Sequence, residues 1–366
     1  MQTSAGLDEL DRLLVTALQA APRADWRRIG RALEVDASTA ARRWARLTET
    51  GLAWLSCHPA AGPGLAPVVA FIEIDCAPPL LRDVAARVAA DPHVFTVEHV
   101  TGSRDLLVTA AFADQAGLAR YLGFRLGALE GVRATRSQIA TALHVEGSHW
   151  RLDRLAEHRR TLLMDPVPAD RAPAVPAARA PDPADLALFT ALSEDCRLPA
   201  AQLAERTGLS PTTVRRRLAR MQSERALVFR CEVARFLSGW PVSVTLWCAA
   251  PPGEVPAVSA QLAGMRETRL CASLSGPHNL MVAVWLRSIE DIRTFETRLA
   301  ARFPELLVAD RAIALWPLKL GGHILDPHGR HVRAVPVALW EDAEAAAAEE
   351  ALLAPFREGG GAGAGA

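Results

Sequence analysis

The strongest constraint on the fold of this 366-residue chain is that it repeats itself. Arg42-Arg43-Trp44-Ala45-Arg46-Leu47 returns 174 positions later as Arg216-Arg217-Leu218-Ala219-Arg220-Met221. The same offset carries Gly102 onto Gly276, Ile139 onto Ile313, Gly147 onto Gly321 and His149 onto His323. Apolar positions follow it too, Leu14 onto Leu188, Leu18 onto Leu192 and Ile29 onto Leu203. Widely spaced anchors that share one offset mark a tandem duplication. Between the copies, residues 165–183 read DPVPADRAPAVPAARAPDP, a proline density that blocks helix and ladder hydrogen bonds and favours an extended, semi-rigid spacer. Beyond Pro336 the chain is Ala/Glu-rich, with room for a short helix around Trp340–Leu353 before EGGGAGAGA.

The front of each copy reads as helices. In copy two, Leu186, Leu188, Phe189 and Leu192 suit one amphipathic helix, and Leu198, Leu203 and Ala204 a second. Then comes TGLSPTTVRRRLARMQ. Gly208 supplies a positive φ for a tight turn, Ser210 is an N-cap, and Pro211 stands at the first helical position, where its missing N–H costs nothing. Val214, Leu218 and Met221 form the buried stripe, and the polar residues fall largely outside it. A short helix, a Gly-containing turn and a second helix with a polar N-terminal face is the helix-turn-helix pattern, whose second helix enters the major groove of double-stranded DNA. The candidate DNA-contacting residues are Ser210, Thr212, Thr213, Arg215, Arg216 and Arg220, with Ser38, Thr39, Arg42, Arg43 and Arg46 in copy one. From Arg197 to Arg220 six arginines stand against Glu205 alone, a local footprint for phosphate. Copy one is less regular: Asp36 replaces the serine cap, and Glu34 stands where copy two has Gly208, which demands either a strained turn or a different one.

The rest of each copy reads as β-α-β-β-α-β. In copy one the strands are Val68–Asp75, Val94–Val100, Leu106–Phe112 and Val132–Ile139, with helices at Leu80–Ala90 and Asp114–Leu129. Copy two repeats the order with VSVTLWC, TRLCASL, LMVAVWL and a strand ending at Ile313, and with helices near Val255–Gly264 and Ile289–Phe303. This is the split, ferredoxin-like order, an antiparallel sheet with helices on one face. Its other face is free to pack on a second sheet. The fold class is therefore α+β, two tandem units of helix-turn-helix, winged in type, followed by a ferredoxin-like domain. The expected boundaries are 1–58 and 184–235 for the helix-turn-helix domains, 66–145 and 240–320 for the ferredoxin-like domains, and 336–366 for the tail.

Composition excludes several classes. Lys and Arg together number 41, as do Asp and Glu, so a DNA surface must come from local clustering. Lys319 is the one lysine, an Arg bias of the whole chain that lowers the weight of any single arginine run. Six scattered cysteines without a C-x-x-C pair read as buried free thiols, with neither a disulfide framework nor a zinc site. The acidic N-terminus is unlike a signal peptide, and no apolar run is long enough for a membrane span, so the expectation is a cytoplasmic protein with no membrane partner. No metal, cofactor or catalytic residue is expected.

LDELDRLLVTAL, GLSPTTVRRRLARM, VTGSRDLLV and GVRATRSQI resemble the Lrp/AsnC family of bacterial regulators, and the likeness covers about residues 7–145 and 183–320. The resemblance implies a DNA-binding transcription regulator that assembles through its sheets and binds an amino-acid effector near the turn between the second and third strands. By position, the effector candidates are Gly102, Ser103, Arg104 and Asp105, with Gly276, Pro277, His278 and Asn279 as counterparts. Arg104 and Asp105 suit the two charges of an amino acid. Asn279 departs from the family's acidic residue, so copy two has lost the partner for an ammonium group. The duplication further implies an intrachain pseudo-dimer, with homo-oligomers above it. The rival is an enzyme: siroheme decarboxylases share this two-domain build and use His and Arg, and His144, His149, His158, His323, His328 and His331 keep that reading open. A third reading is a sensor whose DNA contacts have decayed.

Overall fold

In a computed structural model, residues 6–60, 67–163, 181–337 and 343–358 are described. The first unit begins with α1 (Glu9–Ala20), α2 (Trp26–Leu33) and α3 (Ala37–Glu49), then β1 (Ala53–Pro59). Its sheet domain is β2 (Val68–Cys76), α4 (Leu81–Ala90), β3 (Val94–Val100), β4 (Leu106–Phe112), α5 (Gln115–Arg120) and β5 (Val132–Val145), with α6 (Glu157–Leu163) after it. The second unit runs α7 (Pro183–Glu194), α8 (Ala200–Thr207), α9 (Pro211–Ser223), β6 (Leu227–Val233), β7 (Val242–Ala249), α10 (Val255–Ala263), β8 (Thr268–Leu274), β9 (Leu280–Leu286), α11 (Asp291–Arg302) and β10 (Leu307–Leu320). Two short strands, β11 (His323–Leu325) and β12 (His331–Ala334), extend the sheet, and α12 (Ala343–Glu358) follows.

The two strand pairs expected at Val94–Val100 with Leu106–Phe112, and at Thr268–Leu274 with Leu280–Leu286, form at those bounds. Three expectations shift. The helix expected over Asp114–Leu129 is α only to Arg120 and continues as a π-helical turn to Leu126. The spacer expected to reach Pro183 ends sooner, because Asp182 caps α7 and Pro183 is its first residue; residues 164–180 lie outside the described ones. The tail helix sits at Ala343–Glu358, and Trp340 is also outside the described residues.

The largest difference is in the last strand of each unit. Expected to stop at Ile139 and Ile313, these strands run on to Val145 and Leu320. Their first halves pair within their own unit, β5 with β2 and β10 with β7. Their second halves cross over, β5 to β8 and β10 to β3. The pairings β3-β4-β2-β5-β8-β9-β7-β10-β3 therefore close on themselves, which leaves these strands no free edge. Helices cover two separate outer cores, one around Ile72, Val84 and Val108 and one around Leu246, Val282 and Phe295. Phe71, Val100, Leu107, Trp247, Met281 and Ala314 fill the space where the two sheets face each other.

The helical domains also join. Leu14, Ile29 and Leu47 of the first share one core with Leu188, Leu203 and Val214 of the second. β1 and β6 form an antiparallel ribbon in which Ser56 faces Arg230, its own counterpart at the repeat offset, so a pseudo-two-fold axis passes there. Reciprocal bonds obey that axis. Arg23 donates to the Cys196 carbonyl, and Arg197 donates to the Pro22 carbonyl at 2.6 Å while stacking on Trp26 at 4.1 Å. Thr101 N–H donates to Ile313 O, and Ser275 N–H to Ile139 O. The duplicated chain is thus an internal pseudo-dimer. All six cysteines are buried and unpaired, as expected.

The irregular turn of the first unit is strained. Gly208 ends α8 at φ 70°, where glycine pays no Cβ penalty; Glu34 ends α2 at φ 59° with one. Its carboxylate lies 3.4 Å from Arg159 of α6 but stays largely exposed, so that pair offsets little. Glu34→Gly is expected to raise stability by about 0.5–1 kcal/mol, read as a shift of the urea midpoint at constant slope.

Candidate DNA interface and ligand cavity

Each helix-turn-helix is locked by the same ion-pair quartet. Asp8 and Asp11 form the capping box of α1 and receive Arg43 and Arg46 of α3: Arg43 Nη1 lies 2.6 Å from Asp8 and 2.9 Å from Asp11, and Arg46 bonds Asp11. In the second unit Asp182 and Asp185 cap α7 and receive Arg217 at 2.9 and 2.6 Å and Arg220 at 2.7 Å. Hydrogen bonds to these acids hold the Arg43 and Arg217 pKa values above the ordinary guanidinium range. Asp11 and Asp185 are almost completely buried, so each quartet is a tie between the first and third helices.

The arginines expected to meet DNA therefore divide. Arg43, Arg46 and Arg220 are half-buried and spent on the clamp, a difference from the expectation whose cause is the acid pair in the first helix. Arg42, Arg215 and Arg216 are exposed and have no ion pair among the described residues. Ser38, Ser210 and Thr212 are exposed beside them, with Thr39 and Thr213 half-buried. Ser210 accepts the Thr213 N–H at 3.2 Å, the cap expected of it; Asp36 occupies the N-cap position of α3 but makes no side-chain cap bond. The footprint is smaller than the arginine count. Of the six between positions 197 and 220, Arg197 ties the two helical domains, Arg206 pairs with Glu194, and Arg217 and Arg220 serve the clamp.

The two effector-loop candidates sit on the pseudo-two-fold partner's last strand. Gly102 and Ser103 are exposed. Arg104 is buried, 2.9 Å from Glu73, paired with Asp310 and stacked 4.2 Å over Trp247. Asp105 accepts the Cys76 N–H at 2.7 Å. Gly276 and Pro277 are exposed and His278 half-buried, while Asn279 bonds both the N–H and the carbonyl of Ala250, the counterpart of Cys76. Asp105 and Asn279 thus hold the same piece of backbone, which explains why the acid and the amide interchange between copies.

A cavity of about 340 Å³ lies on the pseudo-two-fold axis, between the β1/β6 ribbon and the interior of the closed sheet. Sequence reading missed it. Its charged and imidazole residues are His58, Glu98, Glu146, Arg230 and Arg269, and Thr96, Thr109, Ser243 and Thr245 add hydroxyls. His58 Nε2 lies 3.4 Å from Glu146, whose other oxygen accepts Ser148 at 2.7 Å. Burial alone would push the Glu146 carboxyl up, but His58, Arg230 and Ser148 together hold it well below the carboxylate range. Glu232 takes Arg230 at 2.7 Å and Arg269 at 2.8 Å. Gly147 passes so close to both guanidinium groups that a Cβ there would meet them. Burial pushes the Glu98 carboxyl up, opposed by Arg235 and Arg269. Of the histidines named from sequence, none lines this cavity: His144 bonds Ser273 at 2.8 Å, and His323 is buried on Trp54 and His331, its pKa pushed down to about 3 by burial.

Among the described residues no helix is long and apolar enough to cross a membrane. The AsnC-type helix-turn-helix family matches residues 7–48 and again 182–222, and the Lrp/AsnC ligand binding domain matches residues 69–149. The chain is 32% identical over 141 residues to an uncharacterized HTH-type transcriptional regulator of Pyrococcus abyssi. It is 30% identical over 141 residues to another of Pyrococcus horikoshii; each match takes 37% of this chain and 87% of the relative. Among solved structures, the siroheme decarboxylase NirDL, in co-complex with an iron-uroporphyrin III analogue, matches 95% of this chain and 100% of its own. Its TM-score is 0.54 at 13% identity, a likeness of fold. With two helix-turn-helix units locked by one repeated clamp and a matching sheet domain behind the first, the chain belongs to the Lrp/AsnC family of DNA-binding, ligand-responsive transcription regulators.

Proposed function

We propose that the two helix-turn-helix units read one DNA site of two unlike half-sites, with α3 and α9 in successive major grooves. The observation that carries this is the internal pseudo-dimer: both reading helices belong to one core, related by one axis, yet they present different side chains. The first offers Ser38, Thr39 and Arg42; the second offers Ser210, Thr212, Thr213, Arg215 and Arg216. Early residues of such a helix meet base edges and later arginines meet phosphates. Sequence selection with the purified chain tests the reading, and two dissimilar half-sites are the expected product; a perfect palindrome would count against it. Arg215→Ala and Arg216→Ala are each expected to weaken binding about tenfold and to reduce the salt slope by about one for a phosphate contact. Binding that ignores both changes would remove α9 from the interface.

The effector is read as a small metabolite, amino acids included, acting at the 102–105 turn or elsewhere in the sheet domains. A second reading, tetrapyrrole chemistry, is favoured by the full-length likeness to NirDL. Against it, two arginines are few for the many carboxylates of such a macrocycle, and the cavity is at the small end of the ~300–1,000 Å³ usual for ligands. Titration with iron-uroporphyrin III, followed by visible absorption, decides between the two.

A further inference from the structure

The axial cavity is asymmetric in a way that a two-fold homodimer could not be. Many wall residues of one unit have their repeat counterpart in the wall across the axis, and those counterparts have diverged. Val69, Phe71 and Phe95 on one side correspond to Ser243, Thr245 and Arg269 on the other. At the axis itself Ser56 faces Arg230. Gly321, the counterpart of Gly147, approaches Ser56, whereas Gly147 approaches Arg230. Duplication has thus turned one symmetric hollow into a lopsided one, with Phe71, Phe95, Glu98 and Glu146 from one unit and Arg230, Arg269 and Trp285 from the other.

The arginine pair is incompletely satisfied. Arg269 is 5% exposed and packs against Trp285 at 4.0 Å and Trp150 at 4.9 Å, two rings that meet edge to face. Its Nη2 bonds Glu232, but Nη1 is buried with no hydrogen-bond partner among the described residues. Glu232 is the acid that bonds both guanidinium groups, while Glu146 acts on Arg230 and Glu98 on Arg269 through charge alone. Glu146 is engaged by His58 and Ser148. A buried, charged donor without an acceptor is costly, and an anionic oxygen is the group that relieves it best.

We infer that this cavity binds one small aryl carboxylate per chain, its carboxylate on Arg269 and Arg230 and its ring against Phe71, Phe95 and Leu107. Burial pushes the Arg269 pKa down from its ordinary value, the mark of a desolvated cation that a bound anion would restore. Glu98 lines the same cavity, its carboxyl pushed up by burial and held down by Arg235 and Arg269. The inference names a ligand class for the sensing function proposed above, and rests on that reading only for its regulatory consequence.

Isothermal titration of the full chain tests it, with 3-phenylpropanoate, indole-3-acetate and 1-naphthoate as probes and 3-phenylpropanamide as the uncharged control. Saturable binding of at least one acid is expected at one per chain, with the amide about tenfold or more weaker. Arg269→Gln should weaken binding at least tenfold, whereas Glu232→Gln, which removes the competing carboxylate, should tighten it. A merely structural role for the trio would make both changes weaken it. Ala283→Phe, which fills the cavity and leaves every charge in place, should abolish binding while the thermal midpoint holds. The inference is overturned if no acid binds at millimolar concentration to a cooperatively melting chain. It falls equally if two bind per chain, or if acid and amide bind alike. DNA selection on the same protein is scored separately. Selective DNA binding without acid binding removes the cavity and keeps the regulator; acid binding without DNA binding does the reverse.

Discussion

Asp185→Ala is expected to lower the stability of the chain by about 2–4 kcal/mol, far more than any exposed arginine on the same helices. The carboxylate is almost completely buried and meets Arg217 at 2.6 Å and Arg220 at 2.7 Å, while its side chain and that of Asp182 close the capping box of α7. Removing it therefore strands two guanidinium groups in a partly desolvated seam and loses the reciprocal half of the capping box, its bond from the Asp182 N–H, while the N-cap bond of Asp182 stays. The arginines are 21% and 30% exposed, so solvent screens part of the loss, which keeps the figure below that of a fully buried pair. Chemical denaturation measures it, with Asp182→Ala as the comparison: that carboxylate is 26% exposed and shares only Arg217 in the quartet, so its loss should cost less. A cost below about 1 kcal/mol for Asp185→Ala would mean that the quartet is a surface ornament.

The same substitution carries a second reading. Arg217 and Arg220, once released, are free to find phosphate, so nonspecific DNA binding should strengthen and its salt slope steepen while the fold weakens. Asp11→Ala should do the same through Arg43 and Arg46. If DNA binding falls with stability instead, the clamp's contribution is to position α9 rather than to withhold charge. The quartet thus separates two uses of arginine that composition alone merges.

That merging shows where the chain was legible and where it was not. The constant offset made the element order plain, and local chemistry placed the Ser210 cap, the Pro211 start and the Gly208 turn, because each depends on neighbours a few residues away. The closed sheet was not plain, since the second halves of β5 and β10 pair with a unit about 130–220 positions away and carry no own-unit partner to announce them. The arginine excess around α9 was real as a count but misleading as a surface, for the acids that consume it stand about 30 residues upstream in α7. The cavity was hidden for a related reason: its wall comes from many strands that meet only at the axis. A signal did exist, in the mismatches between copies. Ser56 against Arg230, Phe95 against Arg269 and Ala111 against Trp285 are changes too large for an idle surface; the last two pairs line the cavity, and Arg230 of the first does.

Lys319→Met is expected to stabilise the protein, most strongly at low pH. Lys319 is fully buried on the second half of β10, where it has crossed into the first unit, and its Nζ donates to the Asp91 carbonyl at 2.8 Å. Its counterpart in the first copy is Val145, so one side of the pseudo-dimer manages the position without charge. Burial drives its pKa from 10.5 down to about 7, with Asp91 pulling the other way. Below about pH 7 folded and unfolded chains both hold the proton, and the full cost of burying the cation is present. Between about pH 7 and 10.5 the unfolded chain keeps a proton that the folded one releases, so this group's contribution to stability rises with pH. Each tenfold loss of proton affinity corresponds to ~1.4 kcal/mol. Methionine should therefore gain on the order of 5 kcal/mol at pH 6, less about 1 kcal/mol for the lost bond to Asp91, and distinctly less by pH 9. The six buried cysteines titrate in the opposite sense at high pH, so the variant must be read as a difference from the parent at each pH, in which their effect cancels. A gain that stays constant from pH 6 to 9 would show that packing, and not the buried charge, decides the position. A loss at pH 6 would show that the bond from Lys319 to Asp91, which ties the second unit's last strand to the first unit's core, outweighs the charge it buries.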